Sequence, residues 1–459
     1  MNTDALDAAV RAVDELRRLQ DRRRELRDDV HRIHAEIGAL RSSRQWQLLE
    51  RYRRARIKAG FAGARLLDLR ASWRARTPNR SISRLVRSKP LGVNVAGYLD
   101  TESGMGEAAR ASIRALTAVG VPLTLNNVPS SLRTADSSFG AAFTSANPHP
   151  FNLVHLNADN MPAFAVRRGR RYFKCRYTIG YWFWELETFR DEWVSFAGYV
   201  DEVWTATRFI QQSVAAKCRI VVQHLPVPVV LPVLPPHGRA HFSLPDGPLV
   251  FLYIFDVSSQ TERKNPIAAI QAFRRAALPH EAAVLVLKFT NPEYDRAGVR
   301  RLHEEARGLN VVMLDGYLDR PDLCALMNAA DCYLSPHRSE GLGLTLLESM
   351  RLGKPVIATA YSGNMDFMTA DNSYLLHYRL VTLARDYGPY MAGAQWAEPD
   401  IDHAAALIRH VVEHRDEARA RGERARLMVE RVYSPEVTGT AMRARLDAIR
   451  AGHRDEARP

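Results

Sequence analysis

The stretch Ser335-Pro-His-Arg-Ser-Glu340-Gly-Leu-Gly-Leu-Thr-Leu-Leu-Glu348-Ser-Met350 decides the fold that the sequence predicts. The apolar run 331–335 leads into it and is typical of a buried strand. Residues 344–351 have the pattern of a helix that ends at residues 353–355, because glycine suits the C-cap and proline prevents continuation. A second short apolar run, 356–359, follows. This order of strand, glycine loop, helix and strand is the repeating unit of a parallel α/β sheet.

Two glutamates, Glu340 and Glu348, are separated by seven residues in this unit. Gly341 and Gly343 allow the backbone to pass close to a ligand, and the helix that follows presents unpaired N–H groups to an anion. Solvated charges at a helix end are the alternative for such a pair. Glu340, however, stands between a strand end and a glycine loop, where open α/β sheets bind ligands. An anion site flanked by two carboxylates that accept hydroxyl hydrogen bonds suits a sugar nucleotide.

Length and composition are those of a globular protein with several domains. The 459 residues predict two or three domains, and the 46% apolar and 25% charged residues are ordinary values. The four cysteines are scattered without a C-x-x-C pair, which predicts reduced thiols in a cytoplasmic protein rather than disulfides or metal ligands. No apolar run of about 18 residues occurs and the N-terminus does not resemble a signal peptide, so we expect neither a spanning helix nor a leader.

The formal net charge of +13 is concentrated in one segment. Residues 1–43 hold nine Arg and nine acidic residues, whereas residues 44–90 hold fourteen basic residues against Glu50 and Asp68. The remaining 41 basic and 40 acidic residues leave residues 91–459 almost neutral. The positive charge therefore lies outside the predicted α/β domains, and it predicts an anionic partner for its own segment.

Residues 4–41 have a helical pattern without proline. Apolar residues recur at alternating spacings of three and four over more than four heptads, with a charged interruption at Arg23. Such a seam is typical of a coiled coil, because a repeat of 3.5 residues keeps one apolar face toward a partner. A single amphipathic helix packed on its own domain is the alternative. We predict that residues 1–43 form a coiled-coil helix, which pairs through residues 5–41 with a second copy or with another protein.

Residues 44–90 interleave basic residues with aromatic and aliphatic ones. Leu66, Leu69 and Trp73 share one helical face, and arginines occupy the others. A segment of this kind can lie on an anionic membrane surface with its aromatic rings at headgroup level. Nucleic acid is a competing partner, but no recognised nucleic-acid module accompanies the segment. A solvated linker is the remaining alternative to a basic amphipathic membrane-binding segment.

Residues 91–235 predict a first domain of alternating strands and helices. A buried strand at 93–97 is followed by a loop with Gly104, Gly106 and Glu107, and then by a helix of good formers. A glycine loop at a strand-to-helix turn can admit a substrate or a phosphate, although G-x-G alone is a weak signal.

Polar side chains follow two later strands of this first domain. His155 and Asp159 lie at and beyond the end of the apolar run 152–156, and Glu185 follows the run 177–182. In a parallel sheet the carboxyl ends of the strands line one crevice, so these side chains are candidates for substrate contact. A lone histidine beyond a strand is more often structural than catalytic, and both alternatives stay open for His155.

Seven prolines within residues 226–248 exclude regular elements and predict an interdomain linker. The second domain then begins with the apolar run 249–255, followed by Arg263, Lys264 and Asn265 at the start of a helix. Asn265 is the candidate N-cap of that helix. Arg263 and Lys264 add full charges to the positive end of the helix dipole, which predicts a diphosphate site rather than a generic basic turn.

Six motifs within residues 91–450 carry a resemblance to a known family. They are Gly97-Tyr98…Gly104-Met-Gly106-Glu107, His155-Leu-Asn-Ala-Asp159, Val203-Trp204-Thr-Ala-Thr207, Asp256…Arg263-Lys264-Asn265-Pro266, Glu340…Glu348 and Ser362-Gly-Asn364-Met-Asp366-Phe367. With them the chain resembles the retaining glycosyltransferases of family 4, in the bacterial branch of O-antigen and capsule mannosyltransferases. The usual Gly-Arg…Lys-Gly phosphate motif of the family is replaced here, although Lys264 keeps its basic role. Residues 1–90 lie outside the resemblance.

The resemblance implies the GT-B fold, an α/β architecture in which two Rossmann-like domains face a cleft. Here an N-terminal helical and basic segment would precede them. The predicted domains are the coiled-coil helix 1–43, the basic segment 44–90, an acceptor domain at 91–235, a nucleotide-sugar donor domain at 236–425, and C-terminal helices at 426–459 that pack back on the N-terminal domain.

The resemblance also implies transfer of a hexose from a nucleoside diphosphate sugar, with retention of configuration and without a metal or other cofactor. Lys264 and Arg263 would hold the diphosphate, Glu340 the sugar hydroxyls and Glu348 the ribose. The implied catalytic residues are Glu340, Lys264 and His155; the implied donor-binding residues are Arg263, Asn265, Gly341, Leu342, Gly343, Leu344, Thr345 and Glu348; the implied acceptor or loop residues are Gly104, Gly106, Glu107, Asp159 and Glu185.

Family analogy favours mannose from GDP-mannose as the donor and a growing, lipid-linked surface polysaccharide as the acceptor. The expected partners are therefore the nucleotide sugar, the glycan, an anionic membrane surface and a coiled-coil partner, but no nucleic acid. We expect a cytoplasmic protein that is peripheral at the inner membrane face. The second hypothesis is a catalytically weak scaffold whose coiled coil organises polysaccharide-assembly enzymes. The presence of Glu340, Glu348 and Lys264 favours the active enzyme.

Overall fold

Two parallel sheets organise the part of the chain that this computed structural model describes, residues 86–130 and 139–452. The strands of the first sheet are β1 (Val93–Gly97), β2 (Leu123–Asn127), β3 (Phe151–His155), β4 (Tyr177–Trp182), β5 (Glu202–Thr205) and β6 (Val221–His224). They pair in parallel in the order β2-β1-β3-β4-β5-β6. The strands of the second sheet are β7 (Leu249–Asp256), β8 (Ala283–Thr290), β9 (Val311–Asp315), β10 (Cys332–Ser335), β11 (Val356–Thr359) and β12 (Tyr374–Leu376). They pair in parallel in the order β12-β11-β10-β7-β8-β9.

Helices connect these strands, and one antiparallel hairpin interrupts the alternation. The helices of the N-terminal domain are α1 (Gly104–Ala118), α2 (Met161–Arg168), α3 (Arg170–Phe173), α4 (Asp191–Val194) and α5 (Arg208–Ala215). Those that follow are α6 (Thr261–Lys264), α7 (Pro266–Ala276), α8 (Arg296–Glu305), α9 (Arg320–Ala329), α10 (Leu344–Arg351), α11 (Ile401–Glu413), α12 (Arg415–Val432) and α13 (Pro435–Ala451). The hairpin pairs β13 (Tyr378–Thr382) with β14 (Gln395–Pro399), and we call residues 378–399 the bridging hairpin. Among residues 86–130 and 139–452, no helix has the length and apolar character to cross a membrane.

Each sheet has a point at which the strand order changes direction. In the first sheet it falls between β1 and β3, and in the second between β7 and β10. The strands there are buried on both faces, so the residues free to meet a ligand are those beyond the carboxyl ends. Open α/β sheets bind ligands at such switch points. The fold therefore brings together the loops after β7 and β10, which carry Lys264 and Glu340.

Helix α13 returns from the C-terminal domain to the N-terminal one. Gly439 lies so close to α1 that a Cβ atom there would be 2.1 Å from the carbonyl oxygen of Ala115. The Arg445 guanidinium holds both oxygens of the buried Glu202 carboxylate, at 2.9 and 2.8 Å. The chain changes domain between α12 and α13, whereas the predicted boundary at residue 426 falls inside α12.

The predicted α/β architecture of two Rossmann-like domains is confirmed, with two local differences. The predicted glycine loop at Gly104 and Gly106 is the first turn of α1, because the hydroxyl of Ser103 accepts the Gly106 N–H at 3.1 Å and caps the helix. The bridging hairpin was not predicted, since β13 is largely exposed and lacks the apolar run of the sheet strands. The predicted coiled coil and residues 44–85 of the predicted basic segment lie outside the described residues.

Candidate functional site

Lys264 and Glu340 meet at the carboxyl edge of the second sheet. Lys264 ends α6, after β7, and Glu340 lies in the loop after β10. The Lys264 Nζ lies 2.5 Å from Glu340 Oε1, and Arg263 Nη1 lies 3.3 Å from Glu340 Oε2. One buried carboxylate therefore bridges the two cations that the sequence predicted as a diphosphate site.

The charges of this cluster are held by their neighbours. Burial alone would raise the pKa of Glu340, but Lys264 and Arg263 outweigh it and lower that pKa to about 2. Burial also lowers the pKa of Lys264, and Glu340 opposes that change. The Glu340 N–H donates to the hydroxyl of Ser362 at 2.8 Å, which fixes the loop. An anion bound here would compete with Glu340 for the two cations.

Arg263 and Asn265 each combine a structural role with an unsatisfied donor. Arg263 Nη1 donates to the carbonyl of Ser339 at 2.7 Å and Nη2 to that of Ser259 at 3.2 Å. Asn265 occupies the predicted N-cap position of α7, but it takes the left-handed backbone, with φ of 56°, and its side chain makes no capping hydrogen bond. Arg263 Nε and Asn265 Nδ2 are buried without a hydrogen-bond partner among the described residues. A ligand oxygen would satisfy such donors.

The glycine loop turns tightly against the N-terminal domain. Gly343 has φ of 81°, a conformation that glycine adopts without a steric penalty, and no side chain caps α10 behind it. A Cβ atom on Gly341 would lie 3.0 Å from the carbonyl oxygen of Trp184. The Gly341 carbonyl accepts the hydroxyl of Thr207 at 2.9 Å. The loop therefore leaves the first N–H groups of α10 without a side-chain cap and touches both domains.

The other predicted loop residues serve mainly to seat α10. Leu342 is buried in the core and Leu344 is half-buried against it. The hydroxyl of Thr345 accepts a hydrogen bond from Tyr333 at 2.8 Å. These side chains fix the position of the helix N-terminus.

Glu348 lies on the first turns of α10 and is fully buried. Its Oε1 accepts from Arg320 Nη2 at 2.5 Å, while Oε2 is buried without a hydrogen-bond partner among the described residues. Burial raises the pKa of Glu348, Arg320 opposes that rise, and Glu107 of the facing domain adds to it. A hydroxyl group of a ligand would supply the donor that Oε2 lacks.

The predicted residues of α1 are held within their own helix. Gly104 is exposed, whereas a Cβ atom on Gly106 would lie 2.3 Å from a backbone oxygen, so glycine is required there. Glu107 is buried and pairs with Arg110, at 3.0 Å, and with Arg114. The carboxylate is thus neutralised locally and acts on Glu348 through its charge.

His155 and Asp159 do not join the charged cluster. His155 ends β3, is fully buried, and stacks on Tyr181 with ring centroids 4.5 Å apart. Neither ring nitrogen has a hydrogen-bond partner in the described part of the chain, and burial lowers the His155 pKa to about 3, so the ring is neutral. Asp159 is exposed and accepts a hydrogen bond from Asn160 at 3.0 Å.

Glu185 is the predicted N-terminal residue that the fold brings to the cluster. Its carbonyl accepts the hydroxyl of Ser339, next to Glu340. Its Oε2 accepts the hydroxyl of Tyr390, on the bridging hairpin, at 3.0 Å. Its charge acts on both Arg263 and Lys264.

Sequence reasoning missed Arg320, Tyr390 and His337. Arg320 is the first residue of α9, and Tyr390 lies in a stretch without periodicity. His337 lies between β10 and Glu340, and its ring forms hydrogen bonds with Ser335 at 3.0 Å and Asn364 at 3.1 Å. A signal for His337 existed, since a buried polar residue beside a binding loop usually supports it. No local signal marked the other two, because their partners are distant in sequence.

One group of three potential metal ligands occurs within residues 86–130 and 139–452. It consists of His237, His241 and Asp322, whose ligand atoms all lie within 4.8 Å of one another. It contains none of the predicted site residues. The cluster at Lys264 and Glu340 therefore offers an ionic site for an anion, and the possible metal ligands lie in a separate group.

Most of the second domain matches the model of a known protein family. Residues 242–428 match the model of the family described as "Glycosyl transferases group 1". The matched range contains Lys264, Glu340 and Glu348.

Solved structures share the two-domain fold. Sucrose-phosphate synthase from Thermosynechococcus elongatus aligns with a TM-score of 0.59 at 15% identity, over 79% of this chain and 100% of that chain. Anabaena Alr3699/HepE, in complex with UDP and glucose, aligns with a TM-score of 0.56 at 13% identity, over 78% of this chain and 100% of that chain. These likenesses confirm the predicted GT-B fold.

Curated relatives match over shorter stretches. WcaL of Escherichia coli K12, whose name assigns it to the glycosyltransferases of colanic acid biosynthesis, is 28% identical over 133 residues, which are 28% of this chain and 32% of that protein. The O-antigen biosynthesis glycosyltransferase WclY of Escherichia coli is 47% identical over 60 residues, 13% of this chain and 15% of that protein. The matched stretches span a third or less of these relatives.

Proposed function

We propose that the protein is a glycosyltransferase that moves a hexose from a nucleoside diphosphate sugar to a surface polysaccharide, with retention of configuration. The observation that carries the proposal is the cluster of Arg263, Lys264 and Glu340 at the switch point of a glycosyl transferases group 1 domain. The relatives named for colanic acid and O-antigen biosynthesis support the polysaccharide, and the neighbour solved with UDP and glucose supports the nucleotide sugar.

Different residues would bind different parts of the donor. Lys264 and Arg263 bind the diphosphate, assisted by the N–H groups at the start of α10, and Glu340 turns to the sugar hydroxyls. Glu348 binds the ribose through Oε2, the oxygen that lacks a partner among the described residues. His155 lies at the facing switch point with a fully buried ring, so its proposed contact with the sugar requires the residues that cover it to move.

The transfer needs no carboxylate base in this proposal. The acceptor oxygen bonds to the anomeric carbon on the face from which the phosphate leaves, and its proton passes to a departing phosphate oxygen. Lys264 and Arg263 stabilise the charge that grows on the nucleoside diphosphate as the C–O bond breaks. No metal takes part, because these side chains supply the positive charge.

The donor and the acceptor can be named more closely by analogy. GDP-mannose is the proposed donor, and a growing lipid-linked glycan is the proposed acceptor. A thermal-shift panel of GDP-, UDP- and dTDP-sugars identifies the base and the sugar. Release of nucleoside diphosphate, measured with and without acceptor, then tests the activity itself. Absence of turnover with every nucleotide sugar would defeat the proposal and leave the scaffold as the function.

We further propose that residues 44–90 hold the enzyme at the inner, cytoplasmic face of the membrane. Their net charge of +12 and their aromatic residues support this, at roughly 1 kcal/mol per basic residue near an anionic surface. Full-length protein should cosediment with anionic liposomes less as salt rises and bind neutral liposomes weakly. Deleting residues 1–87 should abolish binding and spare activity on a short soluble acceptor. Equal cosedimentation of the truncated chain would refute the idea.

Pairing through residues 5–41 is the corresponding proposal for assembly. Their heptad pattern supports it. Light scattering should find an oligomer for the full chain and a monomer for a chain that starts near Ser88. Equal monomer masses, with no separate binding partner recovered, would return the helix to packing on its own domain.

A further inference from the structure

The bridging hairpin belongs to the C-terminal domain by sequence but packs into the N-terminal domain. It leaves the alternation of strands and helices between β12 and α11. Its Leu383, Tyr390 and Trp396 are buried in one hydrophobic cluster with four residues of the N-terminal domain, Trp182, Trp184, Leu186 and Phe189. Arg190 of that domain also donates to the carbonyl of Pro389 at 3.2 Å. The hairpin is therefore a third connection between the domains, beside the linker and α13.

The base of the hairpin is tied to the loop that carries Glu340. Arg338 of that loop holds both oxygens of Glu398, at 2.8 and 3.1 Å, and bonds Glu262 of α6 at 3.0 Å. The Ala397 N–H donates to the Arg338 carbonyl at 3.0 Å. A movement of the hairpin would therefore displace both loops of the candidate site, the one that carries Lys264 and the one that carries Glu340.

The tip of the hairpin is internally bonded. Tyr387 and Tyr390 exchange backbone hydrogen bonds at 2.8 and 3.0 Å, and Asp386 accepts the N–H of Ala392 at 2.8 Å. Leu383 closes the loop with a bond to the Ala394 carbonyl at 2.8 Å. Tyr390 thus projects from a loop that these hydrogen bonds hold closed.

Tyr390 is 3% exposed and contacts three groups of the site at once. Its hydroxyl donates to Glu185 Oε2 at 3.0 Å. The guanidinium carbon of Arg263 lies 5.9 Å from the centre of its ring, and the Trp184 ring lies 5.6 Å away. A residue of the C-terminal domain thereby fixes a carboxylate of the N-terminal domain beside the cations of the donor site.

We propose that Tyr390 is a positioning residue of the donor site, which holds Glu185 and Arg263 beside Lys264 and closes that side of the cleft to water. The inference rests on the proposed glycosyl transfer. Water competes with the acceptor there: its oxygen would bond to the anomeric carbon as the phosphate leaves, its proton would pass to phosphate, and free sugar would result. A buried ring at the edge of the site excludes that water.

The matched pair Tyr390→Phe and Tyr387→Phe tests the proposal. Each change removes one hydroxyl from the same loop, but the Tyr387 hydroxyl interacts with exposed Arg385 and not with Glu185. Tyr390→Phe should raise the donor KM and the ratio of hydrolysis to transfer by about tenfold, the equivalent of one charge-assisted hydrogen bond, with kcat little changed. Tyr387→Phe should leave both values at the wild-type level. Identical behaviour of the two variants would overturn the proposal.

A double-mutant cycle with Glu185→Gln separates positioning from general destabilisation. If Tyr390 acts through Glu185, the double variant should show the KM of the worse single variant rather than the product of the two effects. Independent, multiplicative effects would contradict the proposal.

Hydrogen exchange distinguishes this inference from the proposed function. If the wild-type protein turns over no nucleotide sugar, the proposed function is wrong. The positioning of Glu185 by Tyr390 can still be measured. Tyr390→Phe should then accelerate exchange in residues 183–190, whereas Tyr387→Phe should not. Equal protection of that segment in both variants would end the inference.

Discussion

The two Rossmann-like domains place their polar residues in different ways. At the switch point of the C-terminal sheet, Lys264 and Arg263 lie within 2.5 and 3.3 Å of the oxygens of Glu340. At the switch point of the N-terminal sheet, His155 is stacked in the core without a hydrogen-bond partner among the described residues, and Asp159 is exposed. One domain holds a preassembled set of charges at its switch point, whereas the other keeps its histidine buried and neutral there.

The difference has a physical cause. A diphosphate needs full positive charges, and buried cations need a carboxylate close by when the site holds no anion. A sugar needs hydrogen bonds and exclusion of water, which a neutral ring and a packed loop supply at lower electrostatic cost. The N-terminal domain brings the charge of Glu185 to the cations through the hairpin, while Glu107 acts on Glu348 from its own ion pairs in α1. We expect substitutions in the two domains to act accordingly.

The largest expected effect is on the charged cluster. Lys264→Ala and Glu340→Ala should each lower turnover by at least about a hundredfold, because each removes a group aimed at the donor. Steady-state release of nucleoside diphosphate measures it. Lys217→Ala is the matched control, since Lys217 forms an exposed ion pair with Asp191 at 2.6 Å. If the folded variants turned over at the wild-type rate, the charged cluster would not be the donor site and the two domains would not differ as proposed.

A substitution of Arg320 tests whether the buried Glu348 carboxylate depends on its ion pair with the Arg320 guanidinium. Arg320→Ala should lower the free energy of unfolding by about 2 kcal/mol, because it leaves Glu348 buried without a countercharge. Urea denaturation measures the loss. Adding Glu348→Gln should recover part of it, since the neutral amide needs no cation. Arg275→Ala, at an exposed pair with Asp402, should cost less than about 0.5 kcal/mol. Equal losses for the two arginine variants would contradict the assignment.

His155 gives the N-terminal domain a distinct pH dependence. Its pKa is about 3 when folded and about 6.5 when unfolded, so the unfolded chain binds the extra proton and stability falls as pH falls between those values. The loss begins as pH falls toward about 6.5, and about 1 kcal/mol should be lost between roughly pH 6.5 and 5.5, where the unfolded histidine goes from half to almost fully protonated. His155→Phe should remove that share of the slope in urea titrations. His303→Gln, at an exposed position, should not. An unchanged slope in His155→Phe would place the ring in contact with water.

The smallest expected effect concerns metal. Millimolar EDTA should leave nucleoside diphosphate release unchanged, because Lys264 and Arg263 provide the positive charge for the leaving group. Adding Mg²⁺ afterwards is the control. A loss of activity that Mg²⁺ restores would mean that the charged cluster is not sufficient for the donor.

The sequence was sufficient to predict that certain site residues lie close together in space, because short segments at one sheet edge carry them. Glu340, Gly341 and Gly343 lie in one strand–loop–helix unit, and Lys264 follows the neighbouring strand at the same sheet edge. Parallel-sheet geometry then requires the two loops to meet, so their contact follows from pattern and topology. Tyr390 could not be found in this way, because its partner Glu185 is 205 residues away and neither position has a periodic signal.

The sequence by itself determined the alternation of strands and helices, the glycine turn at residues 341–343 and the concentration of charge in residues 44–90, since periodicity, turn chemistry and charge are properties of neighbouring residues. The tertiary structure alone decided which side chains become partners across domains. It buried His155 and left it neutral, gave Glu348 its countercharge in Arg320, and folded the bridging hairpin into the facing domain. These outcomes depend on desolvation and on pairings between distant segments, and both arise only when the whole chain packs.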